Sequence, residues 1–148
     1  MDWQKSLFES LRAAWRSRLR SRNLPLGVRG EAAAANFLQR LGYKIVARGE
    51  RDTLGEIDLI AVDGRTVVFV EVKTRESADH GHPSEAVDLP KQQRLTRLAL
   101  GFLKRRRLLD YPARFDIVAV TWPAGQRDPL IEHFPSAFDA VGFKGHYS

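Results

Sequence analysis

Asp58 and Glu71 interrupt two runs that are otherwise apolar, Ile57–Val62 and Thr66–Val72, and Lys73 follows two positions after Glu71. A buried acid costs several kcal/mol unless it is paired, protonated or held on a metal. Two carboxylates offer hard oxygen ligands for Mg²⁺ or Mn²⁺, and the Val72 carbonyl between Glu71 and Lys73 offers a backbone one. Lys73 can orient an attacking water or stabilise charge on a phosphoryl oxygen. A divalent cation at such a site would acidify that water, and the set points to phosphodiester hydrolysis. The plainer reading is an ion pair in which Lys73 neutralises Glu71 at a strand end.

Whether these groups meet depends on the hairpin between the runs, signalled by Asp63-Gly64-Arg65. A two-residue loop Gly64-Arg65 pairs Asp63 with Thr66 and sets Asp58 opposite Glu71. A loop at Asp63-Gly64 makes the two diagonal. Either even register puts Asp58, Glu71 and Lys73 on one face, because side chains alternate. A three-residue loop would separate them.

Two helices add charge. A helix over Val28–Leu41, stopped by Gly42, carries Glu31 on the stripe of Ala35 and Leu38. A second, from about Pro90 to Arg107, buries Leu95, Leu98, Ala99, Phe102 and Leu103 and aligns Lys91 with that stripe. Both charges are placed to converge on the strand carboxylates. Plainer readings are dipole stabilisation for Glu31 and a snorkelling side chain for Lys91. Arg75, Lys91 and Arg94 are the expected nucleic-acid contacts.

The remaining strands are Tyr43–Ala47, Arg114–Val120 and a short edge strand Leu130–Phe134. The two central runs are apolar on both faces and belong inside a covered sheet. The order predicts an α/β fold with a mixed sheet of about five strands flanked by helices. Residues 3–20 read as a basic amphipathic helix, with Trp3, Leu7, Leu11, Trp15 and Leu19 on one side and Arg between. The domain reading is 1–26 for this helix and its linker, 27–135 for the main domain and 136–148 for a tail.

The 148 residues suit one ordinary domain, and 43% hydrophobic content excludes a disordered chain. The absence of cysteine excludes disulfides, thiolate zinc sites and cysteine nucleophiles. It fits a cytoplasmic location, as does the lack of a secretory signal or an apolar run of ~18 residues. A net charge of +6 favours a polyanionic partner. His80 and His82 lie in a polar loop without a further ligand at metal-binding spacing, and His133 and His146 carry no signal.

The strings Gly55-Glu56-Ile57-Asp58-Leu59-Ile60 and Phe69-Val70-Glu71-Val72-Lys73-Thr74-Arg75, with Gly30-Glu31 upstream and Lys91 downstream, resemble the YraN-like family. That family belongs to the PD-(D/E)XK, or restriction-endonuclease-like, nuclease superfamily. The resemblance covers about residues 27–135 and leaves out the N-terminal helix. It implies a mixed central sheet, relatedness to archaeal-type Holliday-junction resolvases, Asp58 and Glu71 as metal-binding acids, Lys73 as the catalytic lysine and Glu31 as the acid of the first helix. The superfamily's proline before the aspartate is Ile57 here.

The expected function is a divalent-metal-dependent endonuclease hydrolysing DNA, with branched or flapped structures in view. Its catalytic residues would be Asp58, Glu71, Lys73 and Glu31, and its metal ligands Asp58, Glu71 and Val72. The alternatives are a catalytically silent nucleic-acid-binding module and an interaction protein using the basic N-terminal helix. DNA is the expected partner. A homodimer and a membrane-surface contact by the N-terminal helix are further expectations, the last the weakest, and no transmembrane segment is expected.

Overall fold

The computed structural model describes Trp3 and residues 24–77, 79, 81, 82, 85 and 87–142. The elements run α1 (Leu26–Arg40), β1 (Lys44–Asp52), β2 (Gly55–Asp63), β3 (Thr66–Arg75), α2 (Leu89–Arg105), β4 (Ala113–Thr121) and β5 (Leu130–Phe138). The five strands form one sheet in sequence order. All neighbours are antiparallel except β3 and β4, which are parallel and joined through α2. This is the mixed α/β arrangement read from the residues.

Among the described residues, each face of the sheet carries one helix. Ala34, Ala35 and Leu38 of α1 pack with Ile45, Leu59, Ala61, Val68, Val70 and Val118. On the other face, Leu95, Leu98, Ala99, Phe102 and Leu103 of α2 pack with Ile60, Val62, Val67, Phe69 and Ile117. β2 and β3 are covered on both sides, as their near-continuous apolar sequence requires.

Local signals explain the element ends. Gly42 takes φ 95, and the N–H groups of Gly42 and Tyr43 return to the carbonyls of Gln39 and Leu38 at 3.0 Å. That closes α1 in a Schellman motif. Asp88 caps α2 by accepting the Lys91 N–H at 2.9 Å, with Pro90 in the first turn. The hairpin uses the two-residue loop Gly64-Arg65, with Gly64 at φ 60 and Asp63 paired to Thr66.

Two strands outrun their expected ends. β1 continues through the polar residues Arg48–Asp52, because an edge strand needs only backbone pairing and its outer groups stay wet. β5 passes Pro135, which reads as a stop. A bulge absorbs it: Ser136 takes φ 50, the register shifts opposite Phe115 and Ile117, and Phe138 stacks on Phe115 at 4.8 Å. The helix expected over 3–20 lies outside the described residues apart from Trp3, which packs partly buried against the α2-side cluster. Residues 143–148 of the expected tail, and His80, also lie outside them. Among the described residues no helix is long and apolar enough to cross a membrane.

Candidate active site

The hairpin register runs from Asp63↔Thr66 to Leu59↔Val70 and stops one step before Asp58 and Glu71. The regular alternation on β2 is not kept there. Ile57 packs on the same face as Ile60 and Val62, while Leu59 packs on the other. The strand therefore breaks step around Asp58. Its Oδ2 accepts the backbone N–H of Val72 at 2.8 Å, a bond that a residue in regular alternation would not make.

Glu71 is only 7% exposed and sits under two ammonium groups. Lys73 Nζ lies 3.4 Å from its Oε1, and Lys91 Nζ donates to the same oxygen from the first turn of α2. The Asp88 cap fixes the backbone of Lys91, so its side chain starts from a defined place. Burial, and then the neighbouring Lys91, hold Lys73 below the ordinary lysine range. Burial works most against charge on Lys91, but its bonds to Glu71 and Lys73 and the nearby acids Glu71 and Asp58 together outweigh this, and its pKa is raised. Of the two cations, Lys73 gives up its proton more readily.

Glu31 arrives through a close approach of α1. A Cβ added at Gly30 would fall 1.8 Å from Thr74 Oγ1, so only glycine lets the first turns of α1 rest on the end of β3. Glu31, Glu56 and Asp58 then bring carboxylate oxygens within 4.8 Å of one another. Glu56 also binds Arg51 through Nη2 at 2.6 Å and Nε at 3.0 Å. Burial first, then the charges of Glu71 and Glu31, push Asp58 up to about 7, against the opposing pull of the Val72 N–H and Lys91.

The residues singled out from sequence thus divide into two adjoining groups. Asp58 and Glu31 join Glu56 in a carboxylate triad, while Glu71 is held by Lys73 and Lys91. Lys91, expected to contact nucleic acid, is bonded to Glu71. Arg94 is exposed on α2, and the Arg75 carbonyl accepts the Trp122 N–H at 2.7 Å. The His-x-His pair is described only at His82, whose ring meets Phe134 edge-on at 4.8 Å. Glu56 was missed because it stands in a polar stretch, where an acid attracts no notice.

A second charged cluster was also missed. Asp116 is 0% exposed and accepts from Arg114 Nε at 3.0 Å, the Ser136 N–H at 3.0 Å and His133 Nε2 at 2.7 Å. Arg114 reaches on to Tyr43 at 2.6 Å and Asp63 at 3.2 Å. Burial opposes its charge, but the bonds to His133, Arg114 and Ser136 hold the Asp116 carboxyl below its usual range. An acid inside the apolar run of β4 is the signal that could have revealed it, as Asp58 was revealed in β2.

The family model described as uncharacterised protein family UPF0102 matches residues 30–120. That span contains Glu31, Glu56, Asp58, Glu71, Lys73 and Lys91. A UPF0102 protein of Rhodopirellula baltica is 51% identical over 84% of this chain and 77% of its own length. Another, from Geobacter metallireducens, is 48% identical over 79% of this chain and 94% of its own length. With a match over most of the chain at such identities, the chain belongs to the UPF0102 (YraN) family.

Proposed function

We propose that this chain is a divalent-metal-dependent endonuclease that hydrolyses DNA phosphodiester bonds, with branched or flapped DNA as its substrate. One observation carries the reading: charged groups from β2, β3, α1 and α2 converge in a partly buried cluster that is poorly compensated by itself. The donor set fits Mg²⁺ or Mn²⁺. Glu31, Glu56 and Asp58 bring three hard oxygen donors within 4.8 Å, and a bound cation would favour the ionised form of Asp58, which burial and then the charges of Glu71 and Glu31 disfavour. The Val72 carbonyl and Glu71 are the further donors, Glu71 once Lys91 releases it. When bound, the ion would polarise a phosphoryl oxygen and lower the pKa of a water.

The chain's own side chains do the remaining work on this reading. Lys73, held below the ordinary lysine range, takes a water proton or donates to a phosphoryl oxygen. Lys91 holds Glu71 in place while the site is empty of substrate. Arg75 and Arg94 supply phosphate contacts, and the chain works in the cytoplasm. A silent binding module would gain nothing from a strained carboxylate group, which disfavours that alternative.

The test is a cleavage assay with Mg²⁺ or Mn²⁺ on single-stranded, duplex, flap and four-way-junction DNA. Asp58→Asn, Glu71→Gln and Lys73→Ala should each abolish cleavage in folded protein, since residues acting as one unit fail together. Robust metal-dependent cleavage by Asp58→Asn would sink the proposed site.

A further inference from the structure

At the carboxyl ends of the parallel strands, Arg75 of β3 lies opposite Thr121 of β4. The next residue, Trp122, is tied down twice. Its backbone N–H binds the Arg75 carbonyl at 2.7 Å, and its indole N–H binds the Gln126 carbonyl at 3.0 Å. The ring packs partly buried against the α1-side cluster and carries the Arg29 guanidinium 4.1 Å from its centroid. Arg29 is exposed on the first turn of α1, next to Gly30 and two residues before Glu31. Thr74, which meets Gly30, and Lys73 precede Arg75 directly on β3. The ring thus lies on the α1 face of the sheet, beside the turn of α1 that carries Glu31, while Lys73 and Lys91 meet Glu71 toward the α2 face.

An indole fixed at both its N–H and its backbone loses little freedom when a planar group stacks on it. A guanidinium in contact with water gains little from resting on a ring, so this cover is displaceable. Arg29 on α1 and Arg75 on β3 are the cations nearest the ring in the chain, of the kind that complement a phosphate backbone. We infer that Trp122 is a stacking site for an unpaired nucleobase. The base takes the ring face, and Arg29 moves from the ring to an adjacent phosphate. Paired bases are already stacked on each other, so the site engages single strands, flaps and fork junctions and not closed duplex. This rests on the reading of the neighbouring cluster as a nuclease site and gives that site a preference for DNA with an unpaired segment.

The experiment uses the full chain with Trp3→Phe and Trp15→Phe, leaving Trp122 as the sole tryptophan of the three. It is titrated in EDTA with a single-stranded oligonucleotide or a blunt duplex. Saturating single strand should quench and shift Trp122 emission, and duplex should not. Trp122→Ala should weaken single-strand binding between about five-fold and about a hundred-fold, the loss typical of one stacked base, with duplex binding unchanged. Trp122→Phe, which keeps an aromatic at the strand end, should lose less. Should Trp122→Ala fail to fold, the emission titration and Trp122→Phe still decide. Unchanged emission at saturation, equal quenching by duplex, equal loss for both substrates, or no binding of single strand would each overturn the inference. Without metal the assay does not depend on cleavage. Quenching in a protein that never cleaves would remove the nuclease reading and keep the stacking site, and cleavage without quenching would do the reverse.

Discussion

Asp58→Asn should make the metal-free protein more stable, and the gain should depend on pH. The carboxyl of Asp58 is raised from 3.8 to about 7, by burial first and then by Glu71 and Glu31. The unfolded chain releases this proton near 3.8, whereas the native chain holds it to about 7. Protonated Asp58 thus supports the fold fully below about pH 4. That support is lost as pH rises from about 4 to 7, because over this window unfolding releases a proton. A rise from 3.8 to about 7 sets a ceiling of ~4 kcal/mol, at ~1.4 kcal/mol per unit. Asp58 is partly open to solvent, and relaxation with water entry reduces this to ~2 kcal/mol. An asparagine oxygen can still accept the Val72 N–H, so the substitution removes the charge and keeps the bond. In EDTA at pH 8 the melting temperature should rise by ~4–8 °C for a chain of this size. At pH 4 the two proteins should melt together. Mn²⁺ should raise the wild-type melting temperature and do so much less in the variant. Thermal melts by circular dichroism from pH 4 to 8 would measure all three. A gain that persists at pH 4, or none at pH 8, refutes the account of Asp58 as a carboxylate ionised against its surroundings.

Lys91→Ala should destabilise the metal-free protein by ~1–3 kcal/mol, since Glu71 keeps only the looser Lys73 contact; calorimetric Mn²⁺ titration should show tighter binding, because Glu71 is released. Asp116→Asn should cost ~3–5 kcal/mol in urea unfolding at pH 7 by leaving Arg114 short of its buried partner. The Asp116 pKa is lowered, so its contribution is present above about pH 4 and fades as acid protonates it; the gap between wild type and variant should narrow there. Gly30→Ala should cost ~1–3 kcal/mol or more through the clash with Thr74, and Thr74→Ala should restore part of it; a neutral Gly30→Ala in denaturant unfolding would mean that α1 does not rest on β3 as described.

What was legible in the residues were the features that one residue type can specify. Gly42 ended α1 because its positive φ suits the position after a helix, and Asp63-Gly64-Arg65 marked the hairpin because few residues accept a tight turn. Asp58 and Glu71 were visible because acids are misplaced in apolar strands. The loss of alternation around Asp58 was not visible, since no residue there announces a break and the Asp58 carboxylate bonds the Val72 N–H of the neighbouring strand, 14 positions later. Pro135 pointed to a strand end for the same reason: the bulge that accommodates it depends on Asp116 accepting the Ser136 N–H from a neighbouring strand. Gly30 stood in the quoted motif, but its use as the contact between helix and strand depends on Thr74, 44 positions later.

The candidate site is assembled from departures from regular structure, and these explain its position. Parallel β3 and β4 end at the same edge, where α1 and α2 present their first turns. Regular packing would keep both helices a side chain away from the strand ends. Gly30 removes that spacing on one face, and the Lys91 side chain spans it on the other. The break around Asp58 then frees a carboxylate to face the gap and bond the Val72 N–H. Three costs accompany them: Gly30 is a poor helix former, burial and then its acidic neighbours push the Asp58 carboxyl up to about 7, and the Thr74 hydroxyl is buried without a hydrogen-bond partner among the described residues. Costs gathered at one edge of an otherwise well-packed sheet are the pattern expected of a functional site. The Asp116 cluster is the contrast. It buries as much charge, yet Asp116 accepts from Arg114, His133 and Ser136 and stays ionised. The same fold thus holds one carboxylate that its neighbours keep below the ordinary range and another, Asp58, that burial and neighbouring acids push above it.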